Sequence, residues 1–176
     1  MLSDISNIDY GSEIVNLPFV FQWRGQVNYT QVSVTRDGYI FPGNVEESSY
    51  IVVWFQDLNP SIAGNIYVAN VDGVFVVSWE GVPQHYGGLP ENGLNFQVAL
   101  HPGGNIEMRW GDGNPPTDQD ASGGAGIRDE AAGVLVPATR FPFFYEADGI
   151  GYAASFPSNQ CRMFVVTTMG NYTEWP

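Results

Sequence analysis

The sequence predicts an all-β chain folded as an antiparallel, jelly-roll-like β-sandwich, a single domain with long Gly/Pro-rich loops. Three observations predict it. Apolar residues recur with period two, as at Phe96, Val98 and Leu100, which is the spacing of a strand with one buried face. Asn70-Val-Asp-Gly73 falls between two apolar runs, and Asp-Gly accepts the positive φ that a tight hairpin needs. No helical period persists beyond about two turns.

Taken in order, residues 1–13 are polar and mixed and read as an N-terminal arm; residues 14–169 form the sandwich, and 170–176 a C-terminal tail. Asn16 to Trp23 reads as a strand with Phe19, Phe21 and Trp23 on one face, and Pro18 confines it to an edge or a strand start. Tyr29 to Thr35 alternates, Asp37-Gly38 turns, and Tyr39-Ile-Phe41 returns. After a loop from Pro42 to Ser49 comes the stretch that organises the chain, Tyr50 to Glu80, which holds two of the five tryptophans. Within it Val74 to Trp79 is apolar on both alternate sets, the mark of a strand inside a sandwich and not at its rim. Gly81 to Gly93 is a long loop. Leu94 to Leu100 and Ile106 to Trp110 then make a two-faced antiparallel pair around His101-Pro-Gly-Gly104. Gly111 to Gly126 reads as a flexible acidic loop ending in a glycine turn, Phe141 to Tyr145 as an aromatic cluster, and Cys161 to Thr168 as the final strand.

Composition bounds the function. At 176 residues the chain buries about 70% of its unfolded surface and needs no covalent staple. Acids outnumber bases 19 to 6, the net charge is −13, and all six bases are arginine. Nucleic acid is excluded as a partner, because it requires basic patches. No run of about 18 apolar residues exists, so no membrane insertion is expected. Met-Leu-Ser-Asp is not a signal peptide, so export information was removed before this numbering, or the protein reaches its site by another route such as particle assembly. Cys161, the single cysteine, precludes an internal disulfide and reads as a buried small hydrophobe.

Catalysis needs paired titratable groups within reach of one another. His85 and His101 both sit in Pro/Gly loops and read as solvated surface, and no nucleophile elbow, metalloprotease helix or Cys-x-x-Cys pair is present. The chain is therefore read as a non-enzyme without a cofactor. One calcium-like oxygen cluster stands out at Asp112, Asn114, Thr117, Asp118 and Asp120, without EF-hand spacing and stiffened by Pro115-Pro116. Gly123-Gly-Ala-Gly126 precedes an apolar strand and lacks a following lysine, so it reads as a turn and not a phosphate cradle. Asn28 and Asn171 begin N-glycosylation triplets. Tyr86, Tyr145, Tyr152 and Trp175 lie outside the regular strands, where rings stack on sugars or cap loops onto the core. Ile14, Leu17, Phe19, Phe21, Phe164 and Val166 belong to terminal segments, Ile5 to Phe21 and Phe164 to Pro176, that read as edge strands for assembly.

Several pieces occur in the order seen in NIDO-type domains, the extracellular module of nidogen, alpha-tectorin and mucin-4, and in related bacterial surface domains. LPFVFQWRGQVNYTQVSVTRDGYIFPG resembles the opening aromatic strand, tyrosine-threonine pair and Gly-Tyr-Ile turn. VWFQDLNP resembles the aromatic-aromatic-acid-acid-Leu motif, and GNIYVANVDGVFVVSWEGVPQHYG the hairpin with its Trp-Glu-x-Val-Pro ending. LNFQVALHPGGNIEMRWGDG and GAGIRD are similar to the pieces that follow. The resemblance covers residues 14 to 129 and implies an extracellular β-sandwich used in matrix, adhesion or surface architecture, with no activity of its own. Where the family often has two acids before Leu58, this chain has Gln56 and Asp57, one carboxylate short of a cation pair.

The expectation is thus a structural or adhesive module, extracellular or at the cell surface. It associates with itself or with other surface or matrix proteins and forms filaments by terminal-strand addition. Two alternatives remain open: a carbohydrate-binding surface module, and a virion or tail-surface subunit.

Overall fold

The computed structural model describes residues 2–6, 11–43, 49–85, 91, 93–113, 123–129, 134–137, 143–145, 151–153, 159–166 and 172–175. Every regular element among them is a strand. In chain order these are β1 (Leu2–Asp4), β2 (Ser12–Trp23), β3 (Val27–Thr35), β4 (Tyr39–Pro42) and β5 (Ser49–Phe55). There follow β6 (Asn65–Val71), β7 (Val74–Val82), β8 (Leu94–Leu100), β9 (Ile106–Gly113) and β10 (Gly123–Asp129). The last five are β11 (Val134–Pro137), β12 (Phe143–Tyr145), β13 (Gly151–Ala153), β14 (Gln160–Val166) and β15 (Tyr172–Trp175).

They form two antiparallel sheets. The seven-stranded sheet runs β1-β6-β7-β8-β9-β14-β15; the eight-stranded sheet runs β12-β13-β10-β5-β4-β3-β2, with β11 also paired to β10. Within each sheet the chain advances mostly by neighbouring hairpins, because short connections favour sequential antiparallel pairing. The β6–β7 hairpin closes through Asp72 at φ 52° and Gly73 at φ 82°, the two positive values of the turn that matches strand twist.

The two inner faces meet in one core. Phe75, Val77 and Trp79 of β7, Phe96 and Val98 of β8, and Met108 and Trp110 of β9 face Phe21, Trp23, Val32, Val34, Ile40, Ile51 and Val53 of the other sheet. Two tryptophans rivet the layers: Trp79 Nε1 donates to the Thr35 carbonyl at 3.2 Å and Trp110 Nε1 to the Val53 carbonyl at 3.0 Å. Each bond crosses from one sheet to the other and satisfies an indole N–H that burial would otherwise leave costly.

Several expectations change. Gly123 to Gly126 is not a flexible turn but the start of β10, held between β5 on one edge and β13 and β11 on the other. The cause is the alternation beyond it: Ala125 and Ile127 are buried in the core, and ladder partners on both sides outweigh glycine's entropic cost in a strand. Cys161 is exposed, not buried. In β14 it lies opposite Arg109 of β9, whereas Phe164, three residues on, has the parity that enters the core. That strand is not the last, since β15 pairs with it.

The stretches expected as arm and tail both contribute ladders. β1 pairs with β6, β2 begins at Ser12, and β15 adds to β14. Tyr172 of β15 is buried, its ring 5.4 Å from that of Trp23. Its hydroxyl donates to the Gly104 carbonyl at 3.1 Å and accepts the Arg24 N–H at 3.3 Å. One side chain thereby ties β15 to the β2–β3 and β8–β9 turns.

Candidate functional site

The sandwich offers three surfaces: the edge where the chain begins, and the two outer faces.

At the edge, β1 closes one side of the seven-stranded sheet and β2 one side of the eight-stranded sheet. Between them runs an open groove of about 480 Å³, lined by Ser3, Val15, Leu17, Pro18, Val68 and Phe75 among others. β2 keeps the expected alternation, with Leu17 and Phe19 half-buried inward and Ile14 and Val20 outward at 51% and 49% exposure. Its pairing with β3 shifts register between Asn16 and Phe21. Pro18 sits in that irregularity, where its missing N–H costs the ladder least. A proline and a bulge on a free edge are devices that blunt indiscriminate strand pairing. Among the residues expected to serve assembly, Ile14 is the exposed one, and Leu17, Phe19 and Val166 are half-buried. Phe21 and Phe164 are fully buried core residues, so their role is to hold strands in place rather than to meet a partner.

Around Ser78 the outer face of the seven-stranded sheet is polar and internally bonded, with Ala69, Val76 and Ala99 beside it on the same face. A shallow depression of about 340 Å³ is lined by Ser78, Glu80, Asn95, Gln97, Arg109 and Gly111 among others. Gln97 Nε2 donates to Ser78 Oγ at 3.1 Å, and Ser78 Oγ donates to Glu80 Oε1 at 2.9 Å. Beside it Glu107 is a hub. Arg109 donates to both carboxylate oxygens at 2.8 and 2.9 Å, Cys161 Sγ donates to Oε1 at 3.2 Å, and His101 Nε2 lies 3.6 Å from Oε2. The Arg109 hydrogen bonds hold the Glu107 carboxyl below its usual range. Burial and the Glu107 acceptor push the Cys161 thiol up, which keeps it protonated and a poor nucleophile. His101, expected as solvated surface, is half-buried beside this carboxylate. The arrangement is an ion-pair cluster in which the Cys161 thiol donates to the Glu107 carboxylate and is held in its protonated form.

The outer face of the eight-stranded sheet is aromatic. Tyr39 and Phe41 of β4 and Tyr50 and Phe55 of β5 form a ring cluster, with centroid distances of 5.3 Å (Tyr39–Phe41), 5.1 Å (Phe41–Tyr50) and 5.5 Å (Tyr39–Phe55). The Arg128 guanidinium lies 6.0 Å from the Tyr50 ring centroid. Phe41 is 2% exposed and Phe55 41%. Sequence reasoning did not single out this cluster, although the parity of Tyr39-Ile40-Phe41 signals it: Ile40 is in the core, so its neighbours are not.

The remaining expected site residues fall apart from one another. Asp112 is exposed at the end of β9, where its Oδ1 accepts Asn159 Nδ2 at 2.9 Å; Asn114, Thr117, Asp118 and Asp120 lie outside the described residues. Among the described residues no group of three or more His, Cys, Asp or Glu side chains is placed to hold a metal ion. Asp57 pairs with Arg36 at 3.4 Å, and its carbonyl accepts the His85 N–H at 2.8 Å. Asn28 is exposed in β3; Asn171 and Tyr86 lie outside the described residues. Tyr145, Tyr152 and Trp175 are not loop residues: they belong to β12, β13 and β15, because ladder pairing extends into those aromatic stretches.

A family model described as NIDO related matches residues 1–150, reaching past the 14–129 span that the motifs covered. No curated protein and no solved structure matches the chain significantly.

Proposed function

We propose that this chain, which belongs to the NIDO-related family, is a non-catalytic, self-associating module of extracellular surfaces that builds filaments by terminal-strand addition. NIDO-related domains are generally extracellular and structural in type, and no helix among the described residues is long and apolar enough to cross a membrane. The observation that carries the finer reading is which strands lie at the sheet edges. β1 and β15 form the two edges of one sheet, and β2 forms an edge of the other. Edge strands present unpaired backbone groups that template the pairing of another chain. A heterologous contact of that kind propagates into an open fibre. Light scattering and electron microscopy of the pure protein test it: concentration-dependent growth into fibres is expected, and a strict monomer at high concentration overturns it.

The aromatic outer face favours one second reading, a carbohydrate-binding surface, since Tyr39, Tyr50 and Phe55 offer rings to sugar faces. Glycan-array binding that is lost in Phe55→Ala supports it, and an array without hits removes it.

A further inference from the structure

We infer that β1 is an exchangeable strand: residues 2–6 of one copy leave their own β6 and add to β6 of a second copy. This deepens the self-association reading and rests on it.

β1 is set apart by its connections. It is three residues long and its ladder is with β6 alone, in the register Leu2↔Ala69, Ser3↔Val68 and Asp4↔Tyr67. The next strand, β2, belongs to the other sheet. β1 is therefore the one strand at this edge whose ladder partner lies 60 and more residues away while its chain neighbour pairs elsewhere. Two further bonds finish the dock. Ile5 N–H donates to the Ile66 carbonyl at 2.9 Å, and Ser6 Oγ accepts the Ile66 N–H at 2.8 Å. Ile5 packs against the core. Ser6 N–H donates in turn to Asp4 Oδ1 at 2.9 Å, which shapes the segment from within so that it carries its own conformation when it moves.

The occupant is fixed by identity. Whatever fits residues 2–6 to β6 within one copy fits them equally between copies, since backbone pairing, the Ile5 contact and the Ser6 bond are the same in both. Exchange then loses no contact and costs the opening of the ladder and the meeting of two chains. In this proposal Gly11, the residue before β2, serves as the hinge. Gly11 has φ +100°, and a Cβ there would meet nothing within 4 Å, so the conformation is a backbone choice and not a packing demand. The groove beside Ser3, Val68 and Phe75, open to solvent between β1 and β2, leaves an approach for the incoming strand along the edge.

The charge of the chain sets the condition. At −13 per copy, two molecules repel at low ionic strength, and salt removes that repulsion over distances beyond about 8 Å at 0.15 M. Exchange is therefore favoured by added sodium chloride and by protein concentration.

The test uses full chains carrying Cys161→Ser, so that the exposed native thiol takes no part. One protein adds Ser3→Cys, a second adds Val68→Cys, and a third carries both. Ser3 and Val68 are ladder partners, so the double variant closes a disulfide within one chain at high dilution. When the two single variants are mixed at high concentration and oxidised, non-reducing electrophoresis shows a band of twice the chain mass containing one of each. That band is absent at a hundredfold dilution and grows with salt. A double variant that closes together with a mixture that stays monomeric overturns the exchange. So does a double variant that fails to close, which denies the ladder itself. Scattering on the same mixtures separates the two readings: fibres without the mixed band sink the exchange and leave self-association standing, and monomers throughout sink both.

Discussion

The two sheets share an inner design and differ on the outside. Inward, both present aromatic and β-branched side chains, and two indole bonds join them. Outward, the seven-stranded sheet carries Ser78, Glu80, Gln97, Glu107 and Arg109, each bonded to a neighbour. The eight-stranded sheet carries Tyr39, Phe41, Tyr50 and Phe55, in mutual ring contact. The first face hydrogen-bonds to itself and to water. The second removes apolar area from solvent and gains edge-to-face ring contacts worth about 0.5–1.5 kcal/mol per pair. The difference teaches that the two outer faces are held in different ways, one by a polar mesh and the other by a ring cluster, and the two respond differently to perturbation.

The largest effect is expected on the aromatic face. Phe41 lies outside the contiguous core cluster yet is 2% exposed, touching the rings of Tyr39 and Tyr50. Phe41→Ala removes a buried ring and leaves a void, so urea denaturation should show a loss of about 3 kcal/mol, in the range of buried Phe truncations. Phe55→Ala, at an exposed ring, should cost about 1 kcal/mol or less. Equal losses at the two positions would mean that the rings do not act as a buried cluster, and the contrast between faces would fail.

Much of this division was legible beforehand, and the exceptions have physical reasons. Period-two runs marked β8 and β9, the run apolar on both alternate sets marked β7, and Asp72-Gly73 marked its hairpin, because side-chain pattern and turn chemistry are local. Phe96, Val98, Met108 and Trp110 were placed inward correctly for the same reason. β10 was hidden, because Gly123 to Gly126 has no side-chain pattern to read and is a strand only through partners on both edges. Cys161 was misplaced because composition favours burial, whereas the parity of β14 is set by Phe164. The Glu107 hub was not legible either. His101 meets Glu107 across the β8–β9 hairpin, but Cys161 is brought to them by the register of β9 against β14, a pairing across about fifty residues that no local rule supplies.

An intermediate effect is expected at that hub. Glu107→Ala strands Arg109 and should cost about 1 kcal/mol, the value of a charge-assisted bond reduced by solvent at the half-exposed arginine. The pH dependence follows from the direction of the shift. The folded-state pKa of Glu107 is lowered from 4.5, first by Arg109. Its contribution is therefore fully present above the unfolded value and is lost as pH falls through the lower folded value. Asp37 has the opposite sign, its folded pKa raised above 3.8 by burial, so acid relieves a cost there. Thermal melts from pH 6 to pH 3 should fall less steeply in Glu107→Gln than in the parent. An unchanged slope would show that the Arg109 pair contributes nothing to folding.

The smallest effect belongs to the centre of the polar face. Ser78→Ala deletes the acceptor of Gln97 Nε2 and the donor to Glu80 Oε1, yet both partners sit at a face where water replaces what is lost. An orphaned polar group is costly only when it stays dry, so the change in stability should be below about 0.5 kcal/mol by urea denaturation. Ser78 itself is 6% exposed, which sharpens the measurement: the deleted hydroxyl is covered, and the groups left behind are not. A loss above about 1.5 kcal/mol would mean that the mesh from Gln97 through Ser78 to Glu80 behaves as a buried network. The polar face would then be as much a structural layer as the aromatic one.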